Sequence, residues 1–570
     1  MKMTIDSDVT IPMRDGVRLS CDIFRPDSRR RHPALLYVPY TDRRTRNGLA
    51  LIVNPITAVE RGYAVVIADC RGTFRSEGQW SPLHGQGRDG FDMVEWIAGQ
   101  DWCDGAVGVY GASGMGATAL QTTLMSPPHL QAAFLLLTGG SYHHGWAYTS
   151  GVFELGFALH WARVMGAYQR KRNLADNPDF VAPAPIQEWD AARALPLIDD
   201  TVIPRSLAPW YADWLAHTQF DDYWREVDAA SNIANIKVPI LQFGAWYDLF
   251  FPGQISVNEA LAAHPDARVR TESRFLIGPW AHNAYLGFAP TTAGSRDFDS
   301  TADSSSRSMT PLALDWFDKW LRGDTSKQIN SRYFMMGDNV WRESPSWPPI
   351  SRQQEWFLSS GGRANTRHGD GVLKPTIAGV NPQNDRFLYD PFNPVPTVGG
   401  ATISQELCPD GVQDQRKVEE REDVLVYSSG ILDQDTRIAG TVSVVLFAST
   451  SGRDTDFTAK LVDVEPEGFC ANISEGIVRA RYREGTHVEK LVPRETILEY
   501  KIRLNDVAHC FRAGHRIRLE ISSSNFPKWA RNLNCETHSN FATADEAQVA
   551  TQQVYHDQLH PSRLVVSLID

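Results

Sequence analysis

A serine framed by small residues, Gly111-Ala112-Ser113-Gly114-Met115-Gly116, directly follows the apolar run Ala106 to Tyr110, and a helix-competent segment, Ala117 to Met125, comes next. A strand, a serine and a helix in that order describe a tight turn that leaves the hydroxyl exposed. Glycines two positions before and three after the serine remove side chains that would collide in such a turn. A hydroxyl is a poor nucleophile by itself: a histidine must take its proton, and a carboxylate must hold that histidine in one tautomer. Asp248 ends Gly244-Ala245-Trp246-Tyr247-Asp248, five residues past Phe243, and His282 ends Gly278-Pro279-Trp280-Ala281-His282, five past Ile277. Together Ser113, Asp248 and His282 could run acyl transfer through a covalent intermediate. The oxyanion formed on that path needs two donors. Gly114 offers the backbone N–H after the nucleophile. The loop Pro39-Tyr40-Thr41-Asp42 has no His-Gly-Gly-Gly run, which leaves the Tyr40 hydroxyl as the second donor.

Residues so far apart along the chain need a rigid frame. Ala34 to Val38 and Ala64 to Ala68 are near-continuous apolar runs, the pattern of strands buried in a parallel sheet. Met93, Trp96 and Ile97 have helical spacing before Gly99, and Gln131 to Leu137 reads as another buried strand. The alternation predicts an α/β fold with a parallel, doubly wound sheet, in which ligands bind at the carboxyl ends of the strands. Val238 to Phe243 and Arg274 to Ile277 are strands that bring Asp248 and His282 to that edge. Asp69 closes a strand too, but it precedes the serine; it is read as the structural partner of Arg71. Between about Gly145 and Asn235 strand signals vanish and an aromatic-rich helical pattern takes over, an insertion that would cap the sheet. An amphipathic helix, Pro311 to Leu321, stops at Gly323, and Asp297 to Ser308 reads as a mobile polar loop. Ser344-Pro345-Ser346-Trp347-Pro348-Pro349 is a turn-rich break. Short alternating strands beyond it predict a β-sandwich of jelly-roll type. The expected division is an α/β core in residues 1–144 and 236–350, a helical cap in 145–235 and a β domain in 351–570.

Composition narrows the classes. The 570 residues carry a formal net charge of −12, and the short arginine runs at 29–31 and 43–46 cannot track a phosphate backbone, which excludes nucleic acid as the expected partner. No apolar stretch approaches the roughly 18 residues that span a bilayer, and Met1 to Asp8 lacks an apolar signal core. Seven scattered cysteines without a Cys-x-x-Cys pair point to reduced thiols in a cytoplasm rather than to disulfides or zinc. No metal or organic cofactor is expected.

At these residues the chain resembles the cocaine esterase-like family of serine hydrolases, relatives of α-amino acid ester hydrolases and X-prolyl dipeptidyl aminopeptidases. The resemblance runs almost end to end, through Pro39-Tyr40, Asp69-Cys70-Arg71-Gly72, Trp102-Cys103-Asp104-Gly105, the Ser113 turn, Trp246-Tyr247-Asp248 and Gly278 to His282. It continues through Tyr389-Asp390-Pro391, Asp454 to Leu461 and Ser523-Ser524-Asn525-Phe526-Pro527. It implies an α/β-hydrolase domain, a helical cap and a carboxy-terminal jelly roll, with Tyr40 supplying the oxyanion hydroxyl. In one respect the chain departs: the family commonly has tyrosine after the nucleophile, where Gly114 stands here. The missing side chain is expected to leave room for a bulkier acyl group.

The acyl pocket is expected to draw aromatic walls from Trp146, Tyr148, Phe153, Phe157, Trp161 and Phe250, which favour small aromatic or apolar acyl esters, with amides also open. A competing activity, on α-amino esters or amino-terminal peptides, would need carboxylates for a substrate ammonium, with Glu154, Asp221 and Asp222 as candidates. A third reading, a binding module on an inert hydrolase fold, runs against the full set of reacting groups. The β domain is expected to shape the cleft rim and offer a homo-oligomer interface.

Overall fold

The computed structural model describes residues 2–45, 52–176, 181, 187–286, 290–377, 383–404 and 406–570. Its first body is built on a ten-stranded sheet. Numbered along the chain, the sheet strands are β1 (Met3–Pro12), β2 (Arg18–Pro26), β3 (His32–Tyr37), β4 (Ala64–Ala68) and β5 (Cys103–Ala112). They continue with β6 (Leu130–Leu136), β7 (Ile240–Tyr247), β8 (Arg274–Ala281), β9 (Arg332–Met335) and β10 (Val340–Glu343). In space they run β1-β2-β4-β3-β5-β6-β7-β8-β9-β10. The strands from β4 to β9 are parallel, flanked by the antiparallel β1–β2 pair on one side and β10 on the other.

Burial on both faces explains the sequence pattern of these strands. Every residue of β4 and of β7 is buried, so neither shows an alternating signature. The helix Ser113–Leu124 is likewise buried along its whole length, whereas Gln86–Ala98 presents one face to solvent and ends at Gly99. Two strands extend further than their apolar runs suggested: β7 reaches Tyr247 and β8 reaches Ala281. Asp248 and His282 are therefore the first residues past their strands. The helix near the end of this body begins at Ser306 rather than Pro311. The segment expected to be a mobile loop is structured: Arg296–Asp297 pairs with Thr292–Ala293, and Ser300–Ala302 forms a 3₁₀ turn.

Between β6 and β7 the chain forms helices Leu155–Asp176, Glu188–Arg193, Pro209–Ala216 and Asp222–Val227, with one two-residue hairpin, Tyr148–Thr149 against Val152–Phe153. Thirteen further strands, from Arg352–Ser359 to Arg563–Ile569, form a second sheet network, and its first and last members pair antiparallel. Asp385–Tyr389 alternates between buried and exposed positions, as expected of a half-covered sheet. Cys470–Arg479 is buried throughout although it carries Glu475 and Arg479, because each charge is matched. Arg479 grips Asp456 with two bonds of 2.9 Å, and the Lys528 ammonium lies 2.5 Å from Glu475. This domain is bonded to the segment inserted between β6 and β7. Trp529 donates to Glu154 at 2.7 Å, and Asn540 donates to the Tyr148 hydroxyl at 2.9 Å and to the Leu215 carbonyl at 3.0 Å. All seven cysteines are buried and unpaired. Among the described residues no helix is long and apolar enough to cross a membrane.

Candidate active site

Ser113 stands where β5 turns into its helix, with φ +56, a left-handed conformation that a non-glycine residue holds only when its surroundings impose it. The flanking glycines are what make the turn possible. A Cβ on Gly111 would lie 2.3 Å from the Met115 carbonyl oxygen, and one on Gly116 would lie 2.8 Å from the Thr138 Cβ. The geometry aims the serine hydroxyl at His282, whose Nε2 is 2.9 Å from Ser113 Oγ. His282 Nδ1 is 3.0 Å from Asp248 Oδ1, and that same oxygen accepts the Phe250 N–H at 2.9 Å. Asp248 and His282 are 0% and 1% exposed and Ser113 is 7% exposed, so all three reacting groups are buried. Three residues from three strand ends form one hydrogen-bonded line. Such a line can pull a proton off the hydroxyl and hold the resulting imidazolium against a carboxylate.

Gly114 is the second residue of its helix, so its N–H has no intrahelical acceptor and faces the helix's positive end. Tyr40 lies three residues past β3 and covers this point. A Cβ placed on Gly114 would be 2.3 Å from the Tyr40 ring and 3.1 Å from its hydroxyl. The expected room beside Gly114 therefore does not exist: the Tyr40 ring occupies it, and glycine is what allows the close approach. Burial pushes the Tyr40 phenol above its ordinary titration range, while hydrogen bonding with Trp161 and Ser113 pulls it back. The phenol stays protonated and available as a donor.

Four of the six expected aromatic walls form a continuous chain from the base to the phenol. Phe250 meets the His282 ring edge-on at 5.0 Å, and Trp146 stacks on Phe250 at 3.8 Å. Phe157 abuts Phe250 at 5.0 Å, and Trp161 meets Tyr40 at 5.8 Å. Tyr148 and Phe153 are not in that chain. The Tyr148 hydroxyl donates to the Trp214 carbonyl at 2.8 Å, and the Phe153 ring packs on Tyr211 at 5.9 Å, which makes both of them core of the inserted segment. Sequence reasoning missed Trp80, 6.1 Å from Tyr40 and 5.7 Å from Trp161, and Trp210, 4.8 Å from Trp161. Trp80 sits in a turn-rich stretch with no periodicity, so only tertiary contact could assign it.

The acids considered for an ammonium are engaged elsewhere. Buried Glu154 accepts from Thr149 and Trp529, Asp221 pairs with His217, and Asp222 pairs with Arg225 on the surface. Asp69 does not pair with Arg71: its partner is Arg43, while Arg71 binds Asp89 at 2.6 Å and Asp15 at 2.9 Å. Among the described residues one grouping, Asp338, Asp435 and Cys510, brings three potential metal-ligand atoms together. Arg437 and Arg512 already neutralise both of its carboxylates.

Residues 15–284 match the family model described as X-Pro dipeptidyl-peptidase (S15 family), and residues 326–565 match the X-Pro dipeptidyl-peptidase C-terminal non-catalytic domain. The cocaine esterase of Rhodococcus sp. (strain MB1 Bresler) is 34% identical over 99% of both chains. Among solved structures, an aminopeptidase from a marine sediment Thaumarchaeota archaeon superposes with a TM-score of 0.85 at 25% identity, covering 100% of this chain and 97% of its own. An α-amino acid ester hydrolase superposes with a TM-score of 0.81 at 24% identity, over 100% and 97% of the two chains. With a full-length relative at this identity and both halves matched by family models, the chain belongs to the cocaine esterase-like family of serine hydrolases, with an S15-type α/β-hydrolase domain followed by a mostly β-stranded non-catalytic domain.

Proposed function

We propose that this protein hydrolyses carboxylic esters of small aromatic or apolar acids through an acyl-enzyme on Ser113. His282 takes the serine proton as Oγ attacks the carbonyl carbon, and Asp248 holds the imidazole and balances its charge. The carbonyl oxygen, now negative, is held by the Tyr40 hydroxyl and the Gly114 N–H. His282 then returns the proton to the leaving alcohol, and a water deacylates the serine by the same route. The observation that carries this reading is the Ser113–His282–Asp248 line of hydrogen bonds at 2.9 and 3.0 Å. The ring chain through Trp146, Phe157, Trp161 and Phe250 supports an apolar acyl group, since an aromatic-lined wall gains little from a charged one.

The names of the relatives keep a second activity in view, on substrates with a free α-amine. Against it, Glu154, Asp221 and Asp222 are each committed to other partners. A phosphonate ester should modify Ser113 and no other serine, located by peptide mass spectrometry. Comparing kcat/KM for a phenylacetyl ester and its α-amino analogue decides the substrate. A large preference for the amine overturns the plain-ester reading.

A further inference from the structure

Tyr40 stands on a loop with no regular secondary structure, yet an oxyanion donor must be held to a fraction of an ångström. Before it, the Cys70 N–H donates to the Pro39 carbonyl at 3.2 Å. After it comes Arg43, only 1% exposed and among the largest fully buried side chains of the protein. Its guanidinium reaches three strands at once. Nη1 donates to Asp69 at the end of β4. Nη2 donates to Asp8 of β1 at 2.5 Å and to Ser20 and Asp22 of β2 at 3.2 Å each. Nε lies 3.1 Å from the second Asp22 oxygen. Arg44 and Arg75 bind Asp8 from the outside at 2.6 and 2.9 Å, so three arginines balance three aspartates.

We propose that Arg43 is a positioning residue for the reaction, fixing the Tyr40 hydroxyl over the Gly114 N–H through its four hydrogen bonds to Asp8, Ser20, Asp22 and Asp69. The inference rests on the oxyanion role assigned to Tyr40 above. Two further features agree with it. The Asp69 carboxylate also accepts the Arg75 N–H at 3.3 Å, and its carbonyl accepts from Ser76 at 2.8 Å. The same cluster thus anchors the loop that carries Trp80, the ring packed against Tyr40. Burial also raises the Asp69 carboxyl to about 6 despite the pull of Arg43. Buried ion clusters of this kind stabilise poorly compared with apolar packing, while a planar fork of donors fixes direction as a single ammonium cannot. With the Tyr40 ring already against Gly114, a shift of the loop has no slack to absorb it.

A double-mutant cycle tests the proposal. Arg43→Lys keeps the charge and loses the fork; it should lower kcat by about 10- to 100-fold with little change in KM. In a Tyr40→Phe background the same change should lower kcat no further, because no hydroxyl remains to be misplaced. Asp22→Asn, which loosens Nε and Nη2 but leaves the Asp69 pair, should repeat the pattern more weakly and serves if Arg43→Lys fails to fold. An unchanged kcat in both variants overturns the inference, and so does a loss that is fully additive with Tyr40→Phe. If Tyr40→Phe alone leaves kcat intact, the oxyanion role falls and this inference falls with it, a failure read from a different corner of the cycle.

Discussion

Among the described residues, two clusters bring serine, histidine and aspartate together, and they are wired differently. In the first domain His282 uses both ring nitrogens, Nδ1 toward Asp248 and Nε2 toward Ser113. In the β domain His556 turns one nitrogen, Nε2, to both partners, 3.0 Å from Asp385 and 3.1 Å from Ser360. Ser360 donates directly to the Asp385 carboxylate at 2.7 Å, as does Tyr427 at 2.7 Å, and the Ala364 N–H joins them at 2.9 Å. Among the described residues, His556 Nδ1 has no hydrogen-bond partner. A base that shares one nitrogen between acid and hydroxyl cannot pass a proton from one side to the other, so the second cluster is a knot that ties strands together. Residue types nominate a triad; the division of labour between the two imidazole nitrogens makes one.

The contrast is sharpest at the serines. Ser113→Ala should lower kcat on the order of 10⁶-fold, while Ser360→Ala should leave kcat for a phenyl ester unchanged; activity lost in the second variant would place the chemistry in the wrong domain. At the acids, Asp248→Asn should reduce kcat by roughly 10⁴-fold with the melting temperature little altered, because the histidine is released into the wrong tautomer. Tyr40→Phe should cost about 10²–10³ in kcat, the range for one oxyanion donor, measurable in pre-steady-state acylation.

Asp385→Asn should do the reverse of Asp248→Asn: full activity per folded molecule, and a loss of about 1–3 kcal/mol in denaturant unfolding as the shared acceptor weakens. Burial raises the Asp385 carboxyl, but His556, Ala364, Tyr427 and Ser360 together outweigh it and hold it below the ordinary value. A depressed carboxyl contributes its stability above the unfolded-state value and loses it as pH falls through the folded one. The gap between wild type and Asp385→Asn should therefore be full at neutral pH and close below the ordinary aspartate value of 3.8. A gap that persists under strong acid would mean that Asp385 is not charged in the folded protein.

Much of the first domain was legible because parallel strands and a strand–serine–helix turn leave strong local marks. Gly111 is required by a contact only four residues away, with the Met115 carbonyl, and Asp248 and His282 announce themselves by following apolar runs. Where long-range packing decides, the sequence misled. Asp69 looked like a partner for neighbouring Arg71, yet the buried cation it faces is Arg43, brought in from the previous loop. Gly114 suggested an open space that the Tyr40 ring in fact fills. Tyr148 and Phe153 are aromatic and buried like Trp146 and Phe157, and nothing local tells which rings join the chain between His282 and Tyr40.

What the amino-acid order determined alone was the set of reacting groups and the strand ends that carry them, since backbone conformation and apolar runs are short-range properties. Which ring faces the serine, which arginine meets Asp69 and which histidine nitrogen meets which oxygen were decided only by the folded chain. Those choices depend on distances between segments from 26 to 196 residues apart along the chain, and only close packing sets such distances to a few tenths of an ångström.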